Sequence, residues 1–244
     1  MDGEALRGQT HTWTLDASYG ITSWLTAEAV LPFVFKTQEV HLSAGNRRRS
    51  TGGLSDPMLL AKVTFWGHKA LRPGALRLGV LGGVKIPLGD DEDTDDTDGT
   101  SPLPASFQAS SGAVDLLAGA YYSVGLIDKS TLYGSVVFRI TTTNAQDYRF
   151  GSTMSGTTDF RIAHLWPVTL AAGLRVTGAA ADRDAGQQVD DSSGWQLAAH
   201  AGVGYFPWQR VFFNVDAIIP FWRGLEGHQM VSDASFVLGA NVVF

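Results

Sequence analysis

The stretch Ala234-Ser235-Phe236-Val237-Leu238-Gly239-Ala240-Asn241-Val242-Val243-Phe244 decides how the rest of the chain is read. At period two, Ala234, Phe236, Leu238, Ala240, Val242 and Phe244 form one apolar edge, while Asp233, Ser235, Gly239 and Asn241 fall on the other. A strand with hydrocarbon on one side and a polar lumen on the other requires this pattern, and it places Phe244 at an interfacial girdle of aromatic residues. The competing explanation is the edge strand of a water-soluble sandwich.

Composition favours the membrane strand. Charged residues make up 17%, glycines number 28, aromatics reach 11% and mean hydropathy is +0.02. No apolar run approaches the ~18 residues of a transmembrane helix, but alternating strands conceal their membrane signal in a mean near zero. The absence of cysteine excludes disulfides, thiolate metal sites and cysteine nucleophiles. Met1-Asp2-Gly3-Glu4 has neither the basic nor the apolar region of a signal peptide, so the sequence reads as a mature or truncated form. A net charge of −6 argues against a nucleic-acid partner.

Upstream, the same alternation predicts ten further strands, over 10–19, 23–35, 54–66, 75–88, 111–124, 131–143, 156–166, 168–177, 195–205 and 211–221. Short connections follow the odd-numbered strands and long polar ones the even-numbered strands. In an up-and-down barrel this collects all short turns at one end, and a soluble sandwich has no reason to sort them so. Tyr19, Trp24, Phe65, Trp66, Tyr122, Trp166, Tyr205, Phe206, Trp208 and Phe244 fall at the short-turn end, as an interfacial belt requires.

The expected fold is therefore all-β, a transmembrane up-and-down antiparallel barrel of about twelve strands, with short periplasmic turns and long extracellular loops. Eleven strands are visible and an even number is the rule, which points to a missing first strand. On that reading residues 1–9 are an N-terminal segment, a remnant of that strand, and 10–244 form a single barrel domain. Glu28-Ala29-Val30-Leu31-Pro32-Phe33 is echoed by Asp216-Ala217-Ile218-Ile219-Pro220-Phe221. Proline cannot donate to a ladder, so Pro32, Pro87 and Pro220 mark bulges or strand ends near the long-loop rim.

The terminal strand ending in an aromatic resembles the C-terminal signature of bacterial outer-membrane barrels. More specifically, Tyr19-Gly20-Ile21-Thr22, Leu31-Pro32, Gly53-Leu54-Ser55-Asp56, Ile86-Pro87-Leu88-Gly89 and Ser111-Gly112-Ala113-Val114-Asp115 resemble an outer-membrane family of transporters, the MetA-pathway of phenol degradation. The resemblance covers most of the chain. It implies a barrel channel for small, often aromatic, compounds, and partners typical of such barrels: outer-membrane lipid, lipopolysaccharide, the barrel assembly machinery through 234–244, and a small-molecule solute.

With the polar parity facing inward, the lumen-lining candidates are Glu28, Asp56, Lys62, Arg77, Lys85, Asp115, Tyr121, Arg139, Asp159, Arg161, Arg175, His200, Asp216 and Asp233, with Asp16 beside them. Charges in a narrow lumen must pair or hold water. Arg77, Arg139, Arg161 and Arg175 are expected to pair with Asp115, Asp159 and Asp216. Such pairs either fill the barrel or set up a field that orients polar solutes. The acidic run Asp90 to Asp98 lacks the glycine and the final glutamate of an EF-hand, and it reads as a solvated loop, not a metal site. Arg47-Arg48-Arg49 suits lipopolysaccharide phosphates, the acidic loop or plain solvent.

The first functional expectation is a channel for passive diffusion of small solutes, without cofactor. The second is an anchoring barrel with a plugged lumen. The third, an outer-membrane hydrolase, finds little support: His200 is inward, but Ser123 and Ser135 sit on distant strands, and neither G-x-S-x-G nor H-E-x-x-H occurs.

Overall fold

A computed structural model describes residues 4–42, 45–67, 73–89, 103–163, 165–208, 210–226 and 234–243. In chain order the strands are β1 (Glu4–Gly20), β2 (Leu25–Leu42), β3 (Gly45–Leu54), β4 (Met58–Trp66), β5 (Leu76–Lys85), β6 (Asp115–Gly125), β7 (Ser130–Thr141), β8 (Tyr148–Arg149), β9 (Thr153–Ile162), β10 (Val168–Ala179), β11 (Arg183–Asp184), β12 (Gln187–Gln188), β13 (Gly194–Trp208), β14 (Val211–Leu225) and β15 (Ser235–Val243). Two 3-10 turns, Ala105–Phe107 and Ile127–Lys129, complete the described elements.

One sheet of 12 strands runs in the order β1-β15-β14-β13-β10-β9-β7-β6-β5-β4-β2-β3, and the β1–β2 pairing closes it into a barrel. Eleven strands make the ring. β3 is the twelfth and continues β4 beyond a break at residues 55–57, so that β2 pairs first with β4 and then with β3. The odd ring closes without the additional first strand expected from the sequence: β1 lies directly against β15, and the two run parallel, from Trp13 beside Leu238 to Ser18 beside Val243. All other neighbours in the ring are antiparallel.

Two sequence expectations shift at this edge. β1 begins at Glu4, so residues 4–9 are its outer half, paired with β2 as far as His41, and do not form a separate segment. The polar stretch 36–53, taken from sequence as a loop, is instead a hairpin in which β2 and β3 extend past the ring. Its register sets Arg48 opposite Glu39 and Arg49 opposite Gln38, pairs that hold a polar strand together outside the lipid.

The wall follows the alternation. Along β1, Trp13 and Leu15 are 52% and 47% exposed, and on the far side of the ring Phe213 and Val215 are 45% and 51% exposed. Such exposure is intolerable in water over a whole surface, and it is required of residues that meet hydrocarbon. At the short-turn end Tyr19, Trp24, Phe65, Trp66, Trp166, Tyr205 and Trp208 are outward and exposed, with Phe206 packed between the Trp166 and Phe212 rings. Phe33, Phe35, Trp195, Phe221 and Trp222 are exposed towards the long-loop end. The prolines stand where the ladder breaks. Pro32 faces the gap between β3 and β4, with its carbonyl accepting from Ser55, and Pro87 follows the end of β5. Pro220 precedes a bulge at Phe221, since Pro220 pairs with Ala198 and Trp222 with Leu197.

Candidate functional site

The inward residues gather into two clusters at different depths. The outer one begins with register: Lys85, last in β5, is paired with Met58 of β4 and Asp115 of β6. Its Nζ lies 2.8 Å from Asp56 Oδ2 and 2.9 Å from Asp115 Oδ2, and it also donates to Ser111 Oγ. Asp56 occupies the break between β3 and β4, where no ladder competes for it. It accepts from Ser111 N at 3.0 Å, from Ser111 Oγ at 2.9 Å and from Ser110 Oγ. Asp115, Asp56 and Lys85 are 2%, 4% and 6% exposed, so these charges are withdrawn from water and depend on each other.

The loop ahead of β6 supplies the serines. Segment 103–114 is folded against β2, the break before β4 and the end of β5, with Leu103, Phe107, Gln108, Ala109 and Ala113 buried. Lys36 Nζ donates to Gln108 O at 2.7 Å, Ser55 Oγ to Ala109 O at 2.7 Å and Asn144 Nδ2 to Ser111 O at 3.2 Å. The segment thus narrows the outer mouth. Sequence reasoning placed 89–110 in a loop outside the barrel. The missed signal was Ser110-Ser111 ahead of an inward acid, Asp115, with a lysine, Lys85, on the neighbouring strand.

The second cluster sits deeper. His200 of β13 has Nδ1 2.6 Å from Asp159 Oδ1 on β9 and Nε2 2.9 Å from Asp216 Oδ1 on β14. Asn214 Nδ2 donates to the other oxygen of Asp216. Glycine makes room for both acids: a β-carbon at Gly173 would overlap Asp159, and one at Gly202 would overlap Asp216. Arg161 Nη2 donates to Tyr133 Oη at 3.1 Å, with its guanidinium 4.8 Å from that ring and 5.7 Å from the Phe212 ring.

The arginine–aspartate pairing expected from sequence is therefore replaced. Asp159 and Asp216 are taken by His200, which the parity rule placed inward without assigning it a partner. Arg77 Nε reaches a backbone carbonyl, Gly67 O, at 3.3 Å, Arg161 turns to tyrosine, and Arg175 forms no ion pair among the described residues. Arg139 approaches its acid, with Nε 3.8 Å from Asp115 Oδ2. Elsewhere on the wall Lys62 pairs with Glu28, and Tyr121 shares a 2.7 Å hydrogen bond with Thr64. Asp233 and the acidic run 90–98 lie outside the described residues.

Outside the ring, β8, β11 and β12 form a small sheet in the long loops. Tyr148 donates to Asp182 Oδ2, whose other oxygen accepts from Gly151 N at 2.6 Å. Burial first, and then the Asp182 hydrogen bond, push the Tyr148 phenol well above its ordinary range, so it remains a neutral donor. On the outer part of the lumen wall, with Arg139 on its border, lies a cavity of about 470 Å³ bordered by β4, β6, β7, β9, β10, β13 and β14. No group of ligating side chains suited to a metal ion occurs among the described residues.

Comparison with known proteins agrees with this architecture. The family model described as "Putative MetA-pathway of phenol degradation" matches residues 3–221. Among solved structures, an outer membrane channel from Pseudomonas putida F1 is similar, with a TM-score of 0.58 at 15% identity over 94% of this chain and 80% of that one. None of the curated proteins matches. The shared feature is the fold, that of an outer-membrane β-barrel.

Proposed function

The chain belongs to the MetA-pathway of phenol degradation family, and from that premise we propose that it is a channel for passive diffusion of small solutes across the outer membrane. The observation that carries this reading is the water-accessible cavity of about 470 Å³ inside a closed ring whose wall bears fixed charges. A barrel that served only as an anchor would be filled by side chains, as small barrels are. Glu28, Lys62, Arg77, Tyr121, Arg161, Arg175 and the two clusters line the path in this reading, and no catalytic role is assigned to any of them. Outer-membrane lipid and lipopolysaccharide are its surroundings, and strand 234–244 is the segment offered to the barrel assembly machinery.

Swelling of liposomes that contain the refolded protein tests the proposal. A channel admits small sugars and amino acids at rates that fall with size. A second reading, the plugged barrel, is favoured by one observation, the buried segment 103–114 in the outer mouth. It predicts no swelling with any solute.

A further inference from the structure

We infer that the cavity bordered by Arg139 is a binding site for a small carboxylate with an apolar body, a single aromatic ring carrying one acid group, held through Arg139. This deepens the channel reading and rests on it, by naming the class of solute. At about 470 Å³ the cavity falls within the ~300–1,000 Å³ typical of small-ligand pockets and exceeds what one ring needs. Leu117 and Val137 give it an apolar side, and Ser155, Thr177 and Gln196 continue the wall beside Val137 with neutral donors.

Arg139 is the cation on its border. The guanidinium carries five N–H donors in a fixed fork, yet among the described residues it makes no hydrogen bond. Its one ionic contact is the 3.8 Å approach to Asp115, whose Oδ2 is already held by Lys85 at 2.9 Å. A half-exposed guanidinium beside a cavity, with its forked face unengaged, matches a carboxylate in shape and charge. Lys85 lies between Asp56 and Asp115 and offsets one of their two charges, and the looser 3.8 Å approach of Arg139 to Asp115 leaves its fork open to a second carboxylate. Arg175, the next inward position below Thr177, adds an exposed positive group on the route, and Arg223 is in register with Gln196. Apolar wall, neutral donors and one open fork together select a ring that bears a single carboxylate. A bare anion leaves the apolar side unused, and a neutral ring leaves the fork unused.

Isothermal titration of the full chain, refolded in detergent, with sodium benzoate, benzyl alcohol and sodium acetate reads the site without any conductance. Benzoate is expected to bind at one site per chain, with benzyl alcohol and acetate at least about tenfold weaker. Arg139→Gln weakens benzoate by about tenfold or more, and Val137→Trp, which fills the cavity and keeps the arginine, removes binding. Heat-modifiable gel migration reports whether each variant is folded. Should Arg139→Gln fail to fold, Val137→Trp decides. Folded protein that binds no benzoate, or equal affinity in the wild type and the folded variants, overturns the proposal. Conductance of the same preparation in potassium chloride separates the two readings: steps without benzoate binding leave the channel and remove the site, and binding without steps does the reverse.

Discussion

The Lys85 and His200 clusters share a plan, one nitrogen base between two aspartates, and differ in almost everything else. The Lys85 and Asp115 side chains are 7% and 3% exposed, whereas those of His200 and Asp216 are 17% and 19% exposed. Lys85 ties the break in the wall and the inward segment 103–114 to β5 and β6. His200 links β9, β13 and β14, three strands whose own ladders already hold them together. The outer cluster therefore holds the segment that narrows the mouth, and the inner one lines the lumen deeper in.

The largest expected effect lies at the outer cluster. Lys85→Met leaves two buried carboxylates facing each other, and losing one partner of a buried pair costs roughly 3–5 kcal/mol. The unfolding transition on heat-modifiable gels should fall sharply, and in protein that still folds, segment 103–114 loosens and conductance rises. Asp115→Asn should cost less, about 1–3 kcal/mol, because one oxygen of Asp115 already lacks a partner and Asp56 still holds Lys85; denaturant titration measures it.

At the inner cluster the same kind of change should act on selectivity more than on stability. His200→Gln keeps a donor towards one aspartate and costs about 1 kcal/mol, but it leaves the other carboxylate without its ring partner and open to lumen cations, and reversal potentials should move towards cations. Smallest in stability is Arg175→Ala, an exposed side chain without an ion pair, at within ~0.5 kcal/mol. Its effect is a further shift towards cations. If Lys85→Met proves as mild as Arg175→Ala, the distinction between the two clusters fails.

The wall was legible in the sequence because period two is a local property, and the expense of an outward arginine at the bilayer midplane, about 2–4 kcal/mol, fixes which parity faces the lumen. Pro32 and Pro220 likewise announced a broken ladder and a bulge. Partners across the lumen were not legible. Whether Asp159 meets Arg161 or His200 depends on register and stagger between strands 41 residues apart, which no local pattern encodes. The inward course of 103–114 was hidden for the same reason: Ser55, Asp56 and Asn144, which hold it, are remote in sequence. Ring closure escaped because the parallel pairing of Trp13–Ser18 with Leu238–Val243 is a register between the two ends of the chain, which no local alternation encodes.

The central claim, an open path through the ring, is tested most directly by planar-bilayer recording of the refolded chain. The account predicts discrete current steps that scale with salt concentration, and larger steps in whatever fraction of Lys85→Met inserts. Folded, inserted protein that gives no steps in either form would contradict it.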